Sequence, residues 1–371
     1  VCGRAGAALI KPRLVVAARG PHRDHRSRLY GGGLNSRRRA VQWRAITGKL
    51  PLAARRDSRP HAMNYLEQLT LRLAEGVGQL PESRRLRHAN YLRQAQRADG
   101  GFGGREGASD LYYTGFALRG LAILGELHGD LAERAAAFLT AQLSTRVAIV
   151  DFLSLVYGAA LLEKLAGVEV FAQAPAGWRE AVAGELERFR RADGGYARTE
   201  EGAASSTYYS FLMALCQQLI GRPPADAARL ADFVRSRQRS DGGFVEMAPM
   251  QRSGTNPTAA AAGLLKLLDA INGSAPAIVD FLAGMQTDEG GLRANTRIPI
   301  ADVLSTFTGL LTLTDLGGCD QIEVDAARRY VLEMEVAEGG FRGGVWDEGV
   351  DVEYTFYGLG VLALAAGQPS S

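Results

Sequence analysis

Asp99-Gly100-Gly101-Phe102 decides the reading of this chain, because it returns as Asp193-Gly194-Gly195-Tyr196 and Asp241-Gly242-Gly243-Phe244. Looser copies are Glu289-Gly290-Gly291-Leu292 and Glu338-Gly339-Gly340-Phe341. Successive first glycines lie 94, 48, 48 and 49 residues apart. The first interval is two periods, so one copy has decayed near Ser144-Thr145-Arg146, and the spacing predicts six repeats.

Outward from each glycine pair the grammar is constant. Before it comes a segment with charged positions, such as Arg84 to Arg97, Trp178 to Arg190, Ala227 to Arg239 and Asp325 to Val336, which reads as a helix with one wet face. After it comes a segment apolar nearly all round, such as Leu111 to Leu127, Thr207 to Leu219, Thr258 to Ala270 and Val352 to Ala366. That is the pattern of a helix enclosed on both sides. Gly-Gly suits a helix stop that needs positive φ. The apolar segments open at Asp110, Asp151, Ser205, Thr255, Asp302 and Asp351, all helix-capping types whose oxygens can accept from first-turn amides. The expected fold is all-α: an α/α toroid of six helix-pair repeats, about twelve helices in an inner and an outer ring. A closed double ring fits the dry-inside alternation better than an open stack, which would need polar end caps.

The 371 residues are 46% hydrophobic and 22% charged, ordinary for a globular chain, and 45 of them are glycine. Cys2, Cys216 and Cys319 lie far apart and form no CxxC, which excludes a disulfide scaffold and a cysteine-rich metal site. No uninterrupted apolar run approaches the ~18 residues a membrane span needs, and the expected location is the cytoplasm. The net charge of +3 averages two unlike parts. Residues 1–62 hold thirteen Arg and two Lys against Asp24 and Asp57; residues 63–371 hold 28 basic and 38 acidic side chains, so the main body does not suit nucleic acid. The basic segment shows no sustained period, and helical patterning begins at the first methionine, Met63. Residues 1–62 read as a low-order segment outside the fold, through a start site called too early, a basic tail for nucleic acid or membrane, or a targeting peptide. Residues 63–371 read as the toroid.

Gln96-Arg97-Ala98-Asp99-Gly100-Gly101-Phe102-Gly103-Gly104-Arg105 and Asp351-Val352-Glu353-Tyr354-Thr355-Phe356-Tyr357-Gly358-Leu359 resemble the prenyltransferase and squalene-cyclase repeat superfamily. The greatest similarity is to the beta subunit of protein prenyltransferases, especially the Rab geranylgeranyl type, over residues 84–367. The resemblance implies an aromatic-lined cavity for an isoprenoid chain, a helical-repeat alpha subunit as partner, and zinc bound to the acceptor thiolate. The zinc pattern it implies is Asp-x-Cys at the fifth inner helix and a His three residues after an Asp in the sixth. Here Asp302 is retained, but Leu304 and Tyr354 stand where the Cys and His belong. Leucine offers zinc no donor and a neutral tyrosine is a poor one. The implied diphosphate-binding positions hold Thr296, Pro299, Thr255 and Ser305, with Arg293 and Arg297 near enough to compensate as anion-binding residues. The Asp-x-Asp-Asp acid of squalene cyclases is absent, as is a Gly-Cys-Gly-Glu-Gln thioester.

Asp302, Asp351 and Glu353 are the candidate catalytic residues, expected to converge at one mouth of the ring. As structure they are two helix caps and a carboxylate favoured by a helix dipole. As chemistry they are an all-oxygen divalent cation site for Mg²⁺, with Asp347, or a carboxylate pair for glycoside hydrolysis. Tyr112, Tyr113, Tyr157, Tyr208, Tyr209, Phe307, Tyr354 and Phe356 are the candidate cavity lining, with core packing as the plain alternative. Arg105, Arg198, Arg293 and Arg342 each follow a glycine motif and should share one rim, while Gln96, Gln238 and Gln286 should tie loop backbones. The expected function is binding of an isoprenoid or similar apolar ligand. A non-catalytic ligand- or protein-binding toroid, and a metal- or carboxylate-dependent terpenoid or carbohydrate-active enzyme, remain as alternatives.

Overall fold

The structure, a computed structural model, describes residues 41–42, 63–143, 146–172, 174–271 and 273–368. The remainder of the basic segment, residues 1–40 and 43–62, lies outside the described residues; Val41–Gln42 pair antiparallel with Arg146–Val147. Thirteen α-helices follow: α1 (Tyr65–Gly78), α2 (Glu82–Ala95), α3 (Leu111–Leu124), α4 (Gly129–Gln142), α5 (Ile149–Leu161), α6 (Trp178–Glu187), α7 (Thr207–Leu219), α8 (Ala227–Arg235), α9 (Thr255–Leu267), α10 (Ala275–Ala283), α11 (Val303–Leu316), α12 (Val324–Met334) and α13 (Val352–Ala366). The odd-numbered helices from α3 to α13 each pack on the next, and α13 packs back on α3. The toroid is closed. The even-numbered helices form the outer ring, as the wet-then-dry grammar requires.

The glycine motif is the joint between repeats. The first glycine of each pair has positive φ, and a Cβ there would strike a backbone carbonyl of the next outer helix: Gly100 on Arg134, Gly194 on Arg229, Gly242 on Ala277, Gly290 on Ala326 and Gly339 on Arg87. The last of these closes the ring onto α2. The second glycine lies against an aromatic of that same helix, namely Phe138, Phe233, Phe281, Tyr330 or Tyr91. The motif aspartates Asp99, Asp193 and Asp241 accept from the second-glycine amide and from Ser109, Ser205 and Ser253 hydroxyls. Gln96, Gln238 and Gln286 donate to the carbonyls of Gly100, Gly242 and Gly290, tying the loops.

Three of the six expected caps cap: the Asp110, Asp302 and Asp351 side chains accept from the amides three residues on. The other three are corrected. Ser206 rather than Ser205 caps α7, since the Ser205 hydroxyl is bonded to Asp193. Gly254 precedes α9, leaving Thr255 to bond the Arg293 carbonyl. Helix α5 begins after Ala148, so Asp151 lies in its first turn.

Helix α1 has no repeat partner. Asn64 and Glu67 form a reciprocal capping box at its start. The helix lies across the C-terminal ends of the inner ring. Tyr65 N donates to Gln218 of α7, Arg72 pairs with Asp315 of α11, and Gly76 rests on the Ala363 carbonyl of α13. The Leu66 carbonyl accepts from the Tyr157 hydroxyl of α5. One end of the ring is therefore roofed, and the end carrying the inner-helix N-termini is the other.

Candidate functional site

At the N-terminal mouth, the caps of neighbouring inner helices are linked through loop backbone. Val303 N, next to Asp302, donates to the Gly343 carbonyl, and Gly343 N donates to Asp347. Arg105 from the first repeat grips Asp347 through two nitrogens, each at 2.6 Å, and Asp351 at 3.1 Å. Glu353 accepts a 2.6 Å hydrogen bond from the Tyr112 hydroxyl. Asp302, Asp351 and Glu353 thus sit at one mouth, but each is engaged.

Burial pushes the Asp302 carboxyl up to about 6, against the hydrogen bonds from Ser305. Burial and the neighbouring Glu353 push Asp351 up to about 6, with Arg105 and the Tyr354 amide acting the other way. Asp347 is also partly buried, yet Arg105 and two loop amides hold it below the ordinary carboxylate range. The two groups differ because Asp351 is more deeply buried and lies beside Glu353, whereas Asp347 takes the bidentate contact of Arg105 and two loop amides.

Below the mouth runs an aromatic cluster. Tyr112 meets Tyr113 and Phe116 at 5.2 and 5.0 Å, and Phe116 meets Phe356 and Tyr357 of α13 at 5.8 and 5.2 Å. Phe307 of α11 contacts the same pair at 5.6 and 5.3 Å, and Tyr354 stands 6.4 Å from Tyr357. Five of the eight expected lining residues therefore join Phe116 and Tyr357 across three adjacent inner helices. Tyr208 and Tyr209 form a separate edge-on pair on α7, with Arg198 over Tyr209. Tyr157 is not at the mouth; its hydroxyl meets Thr70 and Leu66 of α1.

The four motif arginines do not share one rim role. Arg105 bridges the mouth, whereas Arg293 and Arg342 donate to the Gly284 and Glu333 carbonyls near the ends of α10 and α12. Arg297 is exposed, and its amide donates to Asn295.

Sequence reasoning missed Glu246. It is buried, accepts from the Ser206 hydroxyl and the Tyr208 amide, and is pushed by burial up to about 7. Its only signal was an acid three residues beyond a glycine pair. Also missed was a hydroxyl at the fourth position of an inner helix: Thr114, Ser210, Thr258 and Thr306 each accept from the motif's fourth-residue amide.

Among the described residues no group of three or more His, Cys, Asp and Glu could hold a metal ion. Both oxygens of Asp302 are taken by the Ser305 amide and hydroxyl, at 2.6 and 2.7 Å. With Leu304 and Tyr354 beside it, this donor set does not fit zinc.

A closed ring of six helix pairs, joined by glycine turns around an aromatic interior, defines an α/α toroid. The chain belongs to the prenyltransferase alpha-alpha toroid domain family, whose model matches residues 43–144 and 136–369. Among solved structures it is similar to the Candida albicans protein geranylgeranyltransferase-I complexed with GGPP, at 17% identity and TM-score 0.59, covering 76% of this chain and 90% of that one. It is also similar to a variant type II terpene cyclase from Scytonema in complex with geranylgeranyl dihydroxybenzoate, at 15% identity and TM-score 0.54, covering 81% and 99%. A variant glycosidase in complex with glucose matches at 14% identity and TM-score 0.50, covering 82% and 98%. At these identities the likeness is one of fold. No curated protein matches the chain by sequence. Among the described residues no helix is long and apolar enough to cross a membrane.

Proposed function

We propose that this toroid receives an isoprenoid or similarly apolar small molecule through its N-terminal mouth, in the cytoplasm and without zinc. The observation that carries the reading is the aromatic cluster of α3, α11 and α13, which leads from the partly exposed Tyr112, Tyr113 and Tyr354 down to the buried Phe116, Phe307 and Phe356. Each CH₂ of a ligand buried there would contribute about 0.8 kcal/mol, enough for a prenyl chain to bind on apolar contact alone. Two structural neighbours solved with geranylgeranyl compounds lend support to this class of ligand. The test is titration of the full chain with geranylgeraniol, with and without EDTA. Binding that EDTA leaves unchanged and that Phe356→Ala weakens supports the reading; absence of binding, or binding that requires added zinc, overturns it.

The elevated carboxyls of Asp302 and Asp351 favour a second reading, carboxylate-dependent terpenoid chemistry, because an acid near pH 6 is partly protonated close to neutrality. Product formation from an isoprenoid substrate, falling as pH rises through about 6 and lost in Asp302→Asn, would select it.

A further inference from the structure

Arg119 is the one arginine in the six inner helices. It follows Tyr112 by seven residues and Phe116 by three, so it lies on their face of α3, the face turned to the aromatic cluster. Its guanidinium carbon lies 4.8 Å from the Phe116 ring and 5.2 Å from the Tyr157 ring, between the aromatic cluster and the α1 roof. Its Nε is buried without a hydrogen-bond partner, while Nη1 and Nη2 are not among the buried unpartnered atoms of the described residues. Other charges of the inner helices are engaged: Lys266 by Asp315, and Glu353 by Tyr112. Glu67 of α1, which also acts on Tyr157, is paired with Lys164 and bonded to the Asn64 amide.

Among the described residues this half-buried guanidinium lies against two aromatic faces, and cation–π contact does not replace the hydrogen bond that its buried Nε lacks. Its planar fork of donors matches a carboxylate or phosphate. A fixed positive charge there would also oppose a carbocation in the lumen. We propose that Arg119 binds the anionic end of the ligand, so that the toroid's ligand is an anionic amphiphile whose charged group, carboxylate or phosphate, lies deep in the ring against the roof. The inference rests on the apolar-ligand reading above and adds the ligand's charge and orientation.

The test compares geranylgeranoic acid, geranylgeranyl monophosphate and geranylgeraniol, which share one chain and differ only at the head. The full chain should bind the acid or the phosphate about tenfold or more tightly than the alcohol, and which of the two is preferred identifies the anion. Arg119→Met should bring that ratio to about one while leaving the alcohol's affinity in place, and Arg119→Lys should keep part of it. Arg119→Met should also melt no lower than the parent, because it removes an unpaired charge rather than a structural contact. Equal affinity for acid and alcohol in the parent, or a preference that survives Arg119→Met, overturns the inference. Failure of all three to bind overturns the ligand-binding function itself and the inference with it.

Discussion

Glu246 caps α7 from the neighbouring loop, and its cost is set by protonation. Its carboxyl titrates near 4.5 when unfolded and about 7 in the ring, because burial disfavours the charged form more than the Ser206 and Tyr208 bonds favour it. The folded state therefore binds more protons between these values, and stability falls as pH rises from about 4.5 to about 7. Glu335 acts oppositely. Although burial opposes its ionisation, His88, Arg87 and Arg84 hold it down to about 2, so its contribution is present above the ordinary carboxylate range and lost as pH falls toward 2. Glu246→Gln keeps an acceptor for the cap and removes the titration. It should flatten the stability profile between pH 5 and 8 and raise stability at pH 8 by on the order of 3 kcal/mol. Urea denaturation across that range is the measurement, and an unchanged slope would refute the assignment.

The glycine pair works at the scale of the element, where conformation and close approach both count. A Cβ at Gly242 would come within 2.2 Å of the Ala277 carbonyl oxygen, and the residue has φ of +85°. At Gly221 φ is +69°, but nothing lies within 4 Å of that Cβ. Gly221→Ala should therefore cost only the left-handed strain, about 1 kcal/mol. Gly242→Ala must also push α10 away and should cost about 3 kcal/mol or more, read by denaturant midpoint, or by loss of soluble protein. Equal costs would show that the turn, and not the packing between repeats, is what the motif serves. This double demand is why the helix pairs were legible from sequence: a joint that admits only glycine leaves its mark at five of the six periods. The caps were half legible, because Ser205 and Ser206 are equally good capping residues and the choice lies in which hydroxyl reaches Asp193. The burial of Glu246 and of the Arg119 Nε was not legible, since a buried charge and a surface charge are written with the same letter.

For the whole molecule the critical place is the seam where the sixth repeat meets the first. Outside, Glu335 at the end of α12 receives Arg84, Arg87 and His88 of α2. The Gly340 amide donates to His88 Nδ1, so the ring proton sits on Nε2 and faces Glu335 at 2.8 Å. Inside, Arg105 joins the first repeat to Asp347 and Asp351. Other repeats close by loop backbone, as in the bonds from Thr207, Thr255 and Val303 amides to Glu246, Ala294 and Gly343 carbonyls. The seam adds these charges to its glycine joint, which makes ring closure sensitive to pH. Arg105→Met leaves the buried Asp351 with Glu353 and without its cation, so its carboxyl should rise above its present value of about 6. A folded pKa raised further extends upward the window over which stability falls with pH, so the deficit against the parent grows with pH. We expect about 2 kcal/mol of destabilisation at pH 8, less than a fully buried pair would cost because Arg105 is partly exposed, shrinking toward pH 5 as Asp351 takes up its proton. Hydrogen exchange should show the loss first in the loops around Arg105 and Asp347, on the two sides of the seam. A deficit equal at both pH values would mean that Arg105 serves Asp347 alone.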